Sequence, residues 1–179
     1  MPISSTNLKN RVNKLTLPRT KPLLPLFEMI SNSIHAIKEK NTKLSLNNKG
    51  KIKINVIRNG DETILSEISD IEKYPIHSFE VIDTGIGLDA DNYLSFQEFD
   101  SDYKSGIGGQ GVGRLICLKA FQKLIVESVY FENNKFWHRS FDYKRTKEGF
   151  DNYEGDRESN KKSSGTKITL YKYEDEYQK

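Results

Sequence analysis

Four groups of residues in this chain have the types and spacings that act on a ligand. Glu28, Asn32, His35 and Glu39 recur at intervals of four, three and four, so on a helix they share one face. A carboxylate can take a proton and an amide oxygen can hold a metal; Glu28 and Asn32, one turn apart, can aim both at one ligand. Asp83 opens the run Asp83-Thr84-Gly85-Ile86-Gly87 at the end of an apolar stretch. A fixed carboxylate there can accept a hydrogen bond from an exocyclic amine, and glycines let a flat base approach the backbone. Gly106, Gly108, Gly109, Gly111 and Gly113 crowd the stretch SGIGGQGVGRL, which leads into a helical pattern. Backbone N–H groups at a helix start form an anion site suited to phosphates. Lastly, Gly165-Thr166 opens the final apolar segment. Taken singly, each group also has a plain structural reading: a solvated helix face, a turn, a flexible loop, a turn before a strand.

Several chemistries are disfavoured by the same residues. Asp-Thr-Gly carries the catalytic carboxylate of aspartic proteases, but those need two such aspartates sharing a proton. This chain has one copy, and a homodimer supplying the second would leave Gly87 and the other groups without a task. Gly106, Gly108 and Gly111 spell G-x-G-x-x-G, with Glu127 further on, yet the preceding EFDSDYKS is hydrophilic rather than a buried strand. No G-x-x-x-x-G-K-[ST] occurs. Gly113 stands where the kinase glycine loop would carry valine.

The elements that must position these groups follow from periodicity. Residues 4–15 begin with cap-type residues and read as a short helix. Pro18, Pro22 and Pro25 punctuate the chain before LLPLFEMISNSIHAIKEK, a long helical pattern. Leu23, Phe27, Ile30, Ile34 and Ile37 share one face of it and are the expected core stripe, nearly opposite the Glu28 face. NTKLSLNNKG reads as a loop, KIKINVI alternates as a strand, and SFEVI reads as a buried strand ending at Asp83. Residues 89–111, rich in Asp, Ser and Gly, are expected to be largely mobile. GVGRLICLKAF reads as a helix. KLIVESVYF and KFWHRSFDY, joined through Glu132-Asn133-Asn134, read as a hairpin; residues 144–164 as a long polar loop; GTKITLYKY as a final strand. Early helices and later antiparallel strands imply an α+β layer of sheet and helices.

The 179 residues suit one domain with a sizeable core. Hydrophobic residues make up 35% and charged residues 30%, and 28 basic against 25 acidic residues give a net charge of +3. No basic run marks a nucleic-acid arm, although a patch assembled in three dimensions stays open. The single cysteine, Cys117, excludes an internal disulfide and a cysteine metal site; it reads as a buried, inert thiol. The three histidines lack zinc-ligand spacing. No stretch has the ~18 apolar residues of a membrane helix, and the N-terminus lacks a signal peptide's apolar core, so the expectation is a cytoplasmic protein without membrane contact.

Order and spacing together add more. FEMISNSIHA looks like the N-box of the GHKL ATPase superfamily, VIDTGIGL like its D-x-G-x-G box, GGQGVGRL like its glycine-rich lid box, and GTKITL like its closing GT strand. The chain resembles that superfamily (DNA gyrase, MutL, MORC proteins, HtpG-type chaperones and sensor histidine kinases) over about residues 22–172. The resemblance implies a Bergerat-type two-layer α/β sandwich, its mixed, mostly antiparallel sheet covered by helices on one face, with a mobile ATP lid over about residues 90–110. It implies ATP and Mg²⁺ as ligands. Asp83 would accept the adenine amino group, with Gly85 and Gly87 beside the base and Thr166 at the adenine edge. Asn32 would bind the Mg²⁺ that bridges the phosphates. Glu28 would be the general base orienting the attacking water. Gly108, Gly109, Gln110, Gly111, Val112 and Gly113 would cradle the phosphates, with Lys104 and Arg114 as further phosphate contacts, and lid closure would complete the site.

Glu28 also separates subfamilies. Sensor kinases usually carry Asn at that position, so the resemblance implies hydrolysis here, used as a conformational switch with dimerisation on ATP binding. The alternative is a nucleotide-binding or kinase-type module whose output lies in a partner. His35 stands where many relatives carry Asp. Hydrolytic relatives take a phosphate-contacting lysine or arginine from a second domain beyond the GT strand, so a further C-terminal domain and weak activity of this domain alone are expected. NSIHAI and GVGRLICLKAF look most like prokaryotic ATP-binding proteins, some linked to phage defence. The downstream effector and any role of DNA are left open.

Overall fold

Alternating apolar residues build a sheet with one buried face. The computed structural model describes residues 8–47, 49–59, 74–97 and 113–178. Among them are helices α1 (Leu8–Lys14), α2 (Leu24–Lys43), α3 (Ala90–Gln97) and α4 (Gly113–Ala120). The strands are β1 (Ile52–Arg58), β2 (Ile76–Asp83), β3 (Phe121–Glu132), β4 (Lys135–Lys144), β5 (Phe150–Asp151), β6 (Arg157–Glu158) and β7 (Gly165–Tyr173). The sheet runs β1-β2-β7-β3-β4-β5, with β6 also on β4. Among the described residues every pairing is antiparallel, so the fold is α+β and the described sheet is antiparallel rather than mixed. β7, last in sequence, lies between β2 and β3, which places Thr166 directly across from Asp83.

On one face, Phe79 and Val81 of β2, Leu124 and Val126 of β3, Leu170 of β7 and Phe141 and Tyr143 of β4 are buried, as period-2 alternation requires. Leu26 and Met29 of α2 and Leu115 and Leu118 of α4 complete this core. The other face is polar: Lys167 reaches Glu127 at 2.6 Å and Lys123 reaches Asp142 at 2.9 Å. The β3–β4 hairpin turns through Asn133 and Asn134, at φ 51° and 60°, the left-handed pair that a two-residue turn requires. After β7, Tyr173 and Tyr177 donate their hydroxyls to the carbonyls of Pro22 and Leu17, tying the chain ahead of α2 to the sheet.

Three expectations are corrected. The core side of α2 is Leu26, Met29 and Ser33, whereas Leu23, Phe27 and Ile34 are 40%, 60% and 41% exposed. The buried set is the expected stripe moved by one residue, about 100° of rotation. Hydropathy alone picks the more apolar stripe, whereas the side turned inward carries Leu26 and Met29 into the core and Ser33 to Asp83. Residues 90–97, expected within a mobile stretch, form α3. Asp89 caps that helix, accepting from the Asn92 N–H at 3.0 Å, and Tyr93 and Phe96 pack on Phe141 and Phe150. Finally, part of the polar 144–164 stretch is held as β5 and β6 along the outer edge of β4.

Candidate functional site

Asp83 is the last residue of β2 and is 7% exposed. Its Oδ1 accepts the Gly85 N–H at 2.8 Å and the Thr166 N–H at 3.3 Å. Its Oδ2 accepts the Ser33 hydroxyl of α2 at 2.9 Å. Two strands and a helix thus fix one carboxylate. An ionised carboxylate offers about four lone-pair positions, so Oδ2 keeps acceptor capacity for a further donor. Burial pushes the Asp83 carboxyl above its ordinary value of 3.8, opposed by the Gly85, Ser33 and Thr166 hydrogen bonds and by Lys40.

The turn after Asp83 lies on α2. Ile86 donates its N–H to the Ala36 carbonyl at 3.1 Å, and Lys40 donates its Nζ to the Thr84 carbonyl at 2.9 Å. Gly87 has φ +87°, and a Cβ there would overlap the Val129 carbonyl oxygen. Only glycine combines that backbone with that contact. Leu88 then donates its N–H to Ser128 Oγ at 2.8 Å, and Ser128 Oγ lies 3.2 Å from Thr166 Oγ1. Ser164 donates its hydroxyl to the Gly85 carbonyl at 2.9 Å. The Asp83–Gly87 run and Thr166, which come from distant parts of the sequence, are therefore tied together by one hydrogen-bond network. Thr84 is turned away: its hydroxyl accepts the Lys51 N–H at 2.9 Å, and behind it lies a cavity of about 360 Å³ lined by Ile37, Lys40, Lys49 and Lys51 among others.

Glu28 lies beside the first residue of α4. A Cβ on Gly113 would fall 2.6 Å from Glu28 Oε2, so the missing side chain makes room for the carboxylate. The amino end of α4 favours that negative charge. Cys117, one turn further on, is fully buried; burial first and Glu28 second push its thiol up, in keeping with an inert role. Asn32 is exposed on α2, one turn from Glu28, and His35 is half-buried on the same flank. Glu39 is structural: it accepts from Asn92 Nδ2 at 3.2 Å and pairs with Lys43 at 2.9 Å, linking α2 to α3. Arg114 is also committed to α3, donating to the Ser95 carbonyl at 3.2 Å with its guanidinium 5.4 Å from the Phe96 ring. In this ligand-free arrangement Arg114 therefore braces α4 against α3. Lys104, Gly108, Gly109, Gln110, Gly111 and Val112, with Gly106, lie outside the described residues.

The sequence reading missed Ser33, Ser128, Ser164 and Lys40. Two left a signal: Ser128 interrupts the inward-facing series Leu124, Val126, Tyr130, and Ser33 lies on the buried side of α2 once the helix is correctly phased. Among the described residues, no group of three or more His, Cys, Asp or Glu is placed to hold a metal, and no helix is long and apolar enough to cross a membrane. No family model matches the chain, and no curated protein matches it at a significant level.

Proposed function

We propose that this chain is an Mg·ATP-binding domain of the Bergerat type that hydrolyses ATP and uses the cycle as a conformational switch. One observation carries the reading. Asp83 is buried, held by Ser33, Gly85 and Thr166, and keeps an acceptor position on Oδ2 beside the glycine turn. That arrangement suits a planar heterocycle with an exocyclic amine, which adenine presents. The amide of Asn32 fits a magnesium ion that takes its other ligands from phosphate and water; the metal would screen phosphate charge. Glu28, one turn away and next to α4, supplies a carboxylate for a water proton.

The position of Glu28 also supports the second reading, a binding module with little hydrolysis of its own, because a carboxylate at the start of α4 stabilises that helix without any catalysis. Calorimetry with ATP and Mg²⁺ and steady-state phosphate release decide between them. The hydrolytic reading expects saturable binding and slow release that Glu28→Ala abolishes with binding retained. Release unchanged in Glu28→Ala overturns Glu28 as the base, and binding without any wild-type release favours the module. Absence of ATP binding overturns both.

A further inference from the structure

We propose that Arg139 and Asp156 are positioning residues that hold the turn Gly87–Asp89 in its ligand-ready shape. The consequence for nucleotide rests on the ATP reading above; the effect on the turn does not. Arg139 on β4 is 5% exposed, and a buried guanidinium must find partners for its donors. Nε and Nη2 take the Asp156 carboxylate, at 2.8 and 2.6 Å. Nη1 leaves the sheet and donates to the Leu88 carbonyl at 2.8 Å and the Asp89 carbonyl at 3.3 Å. The guanidinium also lies 4.0 Å from the Tyr93 ring of α3 and 4.8 Å from the Tyr130 ring.

Two features make this more than a tie between strands. Ser128 and Arg139 are direct cross-strand partners in the β3–β4 ladder. Ser128 accepts the N–H of Leu88 and Arg139 donates to its C=O, so a single residue after Gly87 is gripped from both sides. Asp156, in turn, is fixed by more than the arginine: Tyr130 and Tyr153 donate their hydroxyls to it at 2.9 and 3.3 Å. Asp156 aims the guanidinium and the guanidinium aims the turn. Without that carboxylate, a buried cation lacks its counter-charge and turns toward water, releasing both carbonyls. Lysine in place of arginine keeps the charge but cannot span the carboxylate and the carbonyls together.

The test uses Asp156→Asn and Arg139→Lys, with Lys135→Ala as a control that removes an exposed ion pair on the same hairpin. Amide hydrogen exchange and ATP calorimetry are measured on each. In the two variants, exchange at residues 87–93 is expected to speed up about tenfold while the paired amides of β2 and β7 keep wild-type rates. The Kd for ATP should rise about tenfold, because the ligand must now order the turn, and kcat at saturation should stay within about twofold. Lys135→Ala should change none of these. Unchanged exchange at 87–93 overturns the proposal, as does acceleration spread evenly over the sheet, which would mark a general stability role. A loosened turn with wild-type affinity overturns the functional half. If the wild type binds no ATP, the ATP reading fails, and the exchange pattern alone upholds or overturns the positioning role.

Discussion

Asp83 and Glu28 are both carboxylates of the candidate site, and the molecule treats them oppositely. Asp83 sits at a strand end, nearly inaccessible, with donors from α2, from its own turn and from β7. Glu28 sits on the flank of a helix, half-buried, beside a glycine that leaves it space. A carboxylate held from three sides is suited to recognise a donor of fixed geometry, since little is lost in ordering it when ligand arrives. One with room to move is suited to meet a water and change protonation. The Asp83 end of the candidate site is thus preformed by the sheet, and the Glu28 end relies on the face of α2.

The largest expected effect breaks the Glu28 half alone. Glu28→Ala should lower phosphate release by about 10²-fold or more, the usual weight of a general base, with ATP affinity within about twofold. Parallel loss of affinity and rate would mean that Glu28 shapes the site by anchoring α4.

Gly87 tests how far the Asp83 half is preformed. Gly87→Ala forces a side chain onto a backbone at φ +87° and into the Val129 carbonyl. The strain and overlap together should cost about 3 kcal/mol of unfolding free energy, read by urea denaturation. A loss below about 1 kcal/mol would show that the turn can relax, contrary to a rigid purine site.

Asp83→Asn separates recognition from stability. The amide oxygen can still accept from Gly85 and Thr166, and the amide N–H can donate to Ser33, so packing is kept. The remaining acceptor, however, becomes a donor, which would repel the exocyclic amine of the proposed adenine. Affinity should fall about 10–100-fold, the worth of a charged hydrogen bond. The unfolding free energy at neutral pH should stay within about 1 kcal/mol of wild type or rise. The sign follows from burial: the folded carboxyl titrates above the ordinary 3.8, so the folded chain holds this proton more tightly than the unfolded chain. Its contribution to stability is therefore full below 3.8 and is lost as pH rises through the folded value. Binding runs the other way, because the acceptor must be ionised. Wild-type affinity should weaken on acidification at a higher pH than an ordinary carboxylate would give, and Asp83→Asn should flatten that portion of the curve.

Much of this half was legible in the sequence because its signals are local. The apolar runs SFEVI and GTKITLYKY located β2 and β7, and the glycines after Asp83 marked a place of close backbone approach. The antiparallel register that sets Thr166 against Asp83 is a long-range fact, yet the order of the motifs anticipated the pairing of these residues. The supporting network was not legible. Arg139, Asp156 and Ser128 meet only through the β3–β4 ladder and the return of the 152–164 stretch, and none belongs to a motif. Composition also misled at residues 90–97, where Asp89 reads as solvent-seeking but is a helix cap.

The phase of α2 is where sequence and structure part most plainly, and the smallest expected effect tests it. Hydropathy puts Phe27 in the core and makes Met29 a neighbour of the polar face; the structure leaves Phe27 60% exposed and Met29 2% exposed. The rotation has a functional cost if it is wrong, because turning α2 back by one residue step would carry Ser33 away from Asp83 and move Glu28 off α4. Phe27→Ser should therefore change the unfolding free energy by no more than about 0.5 kcal/mol, whereas Met29→Ala should lose about 2–4 kcal/mol through the cavity it opens. Equal losses at both positions would place Phe27 against a partner surface or the core, and the geometry that gives Asp83 its serine donor would have to be redrawn.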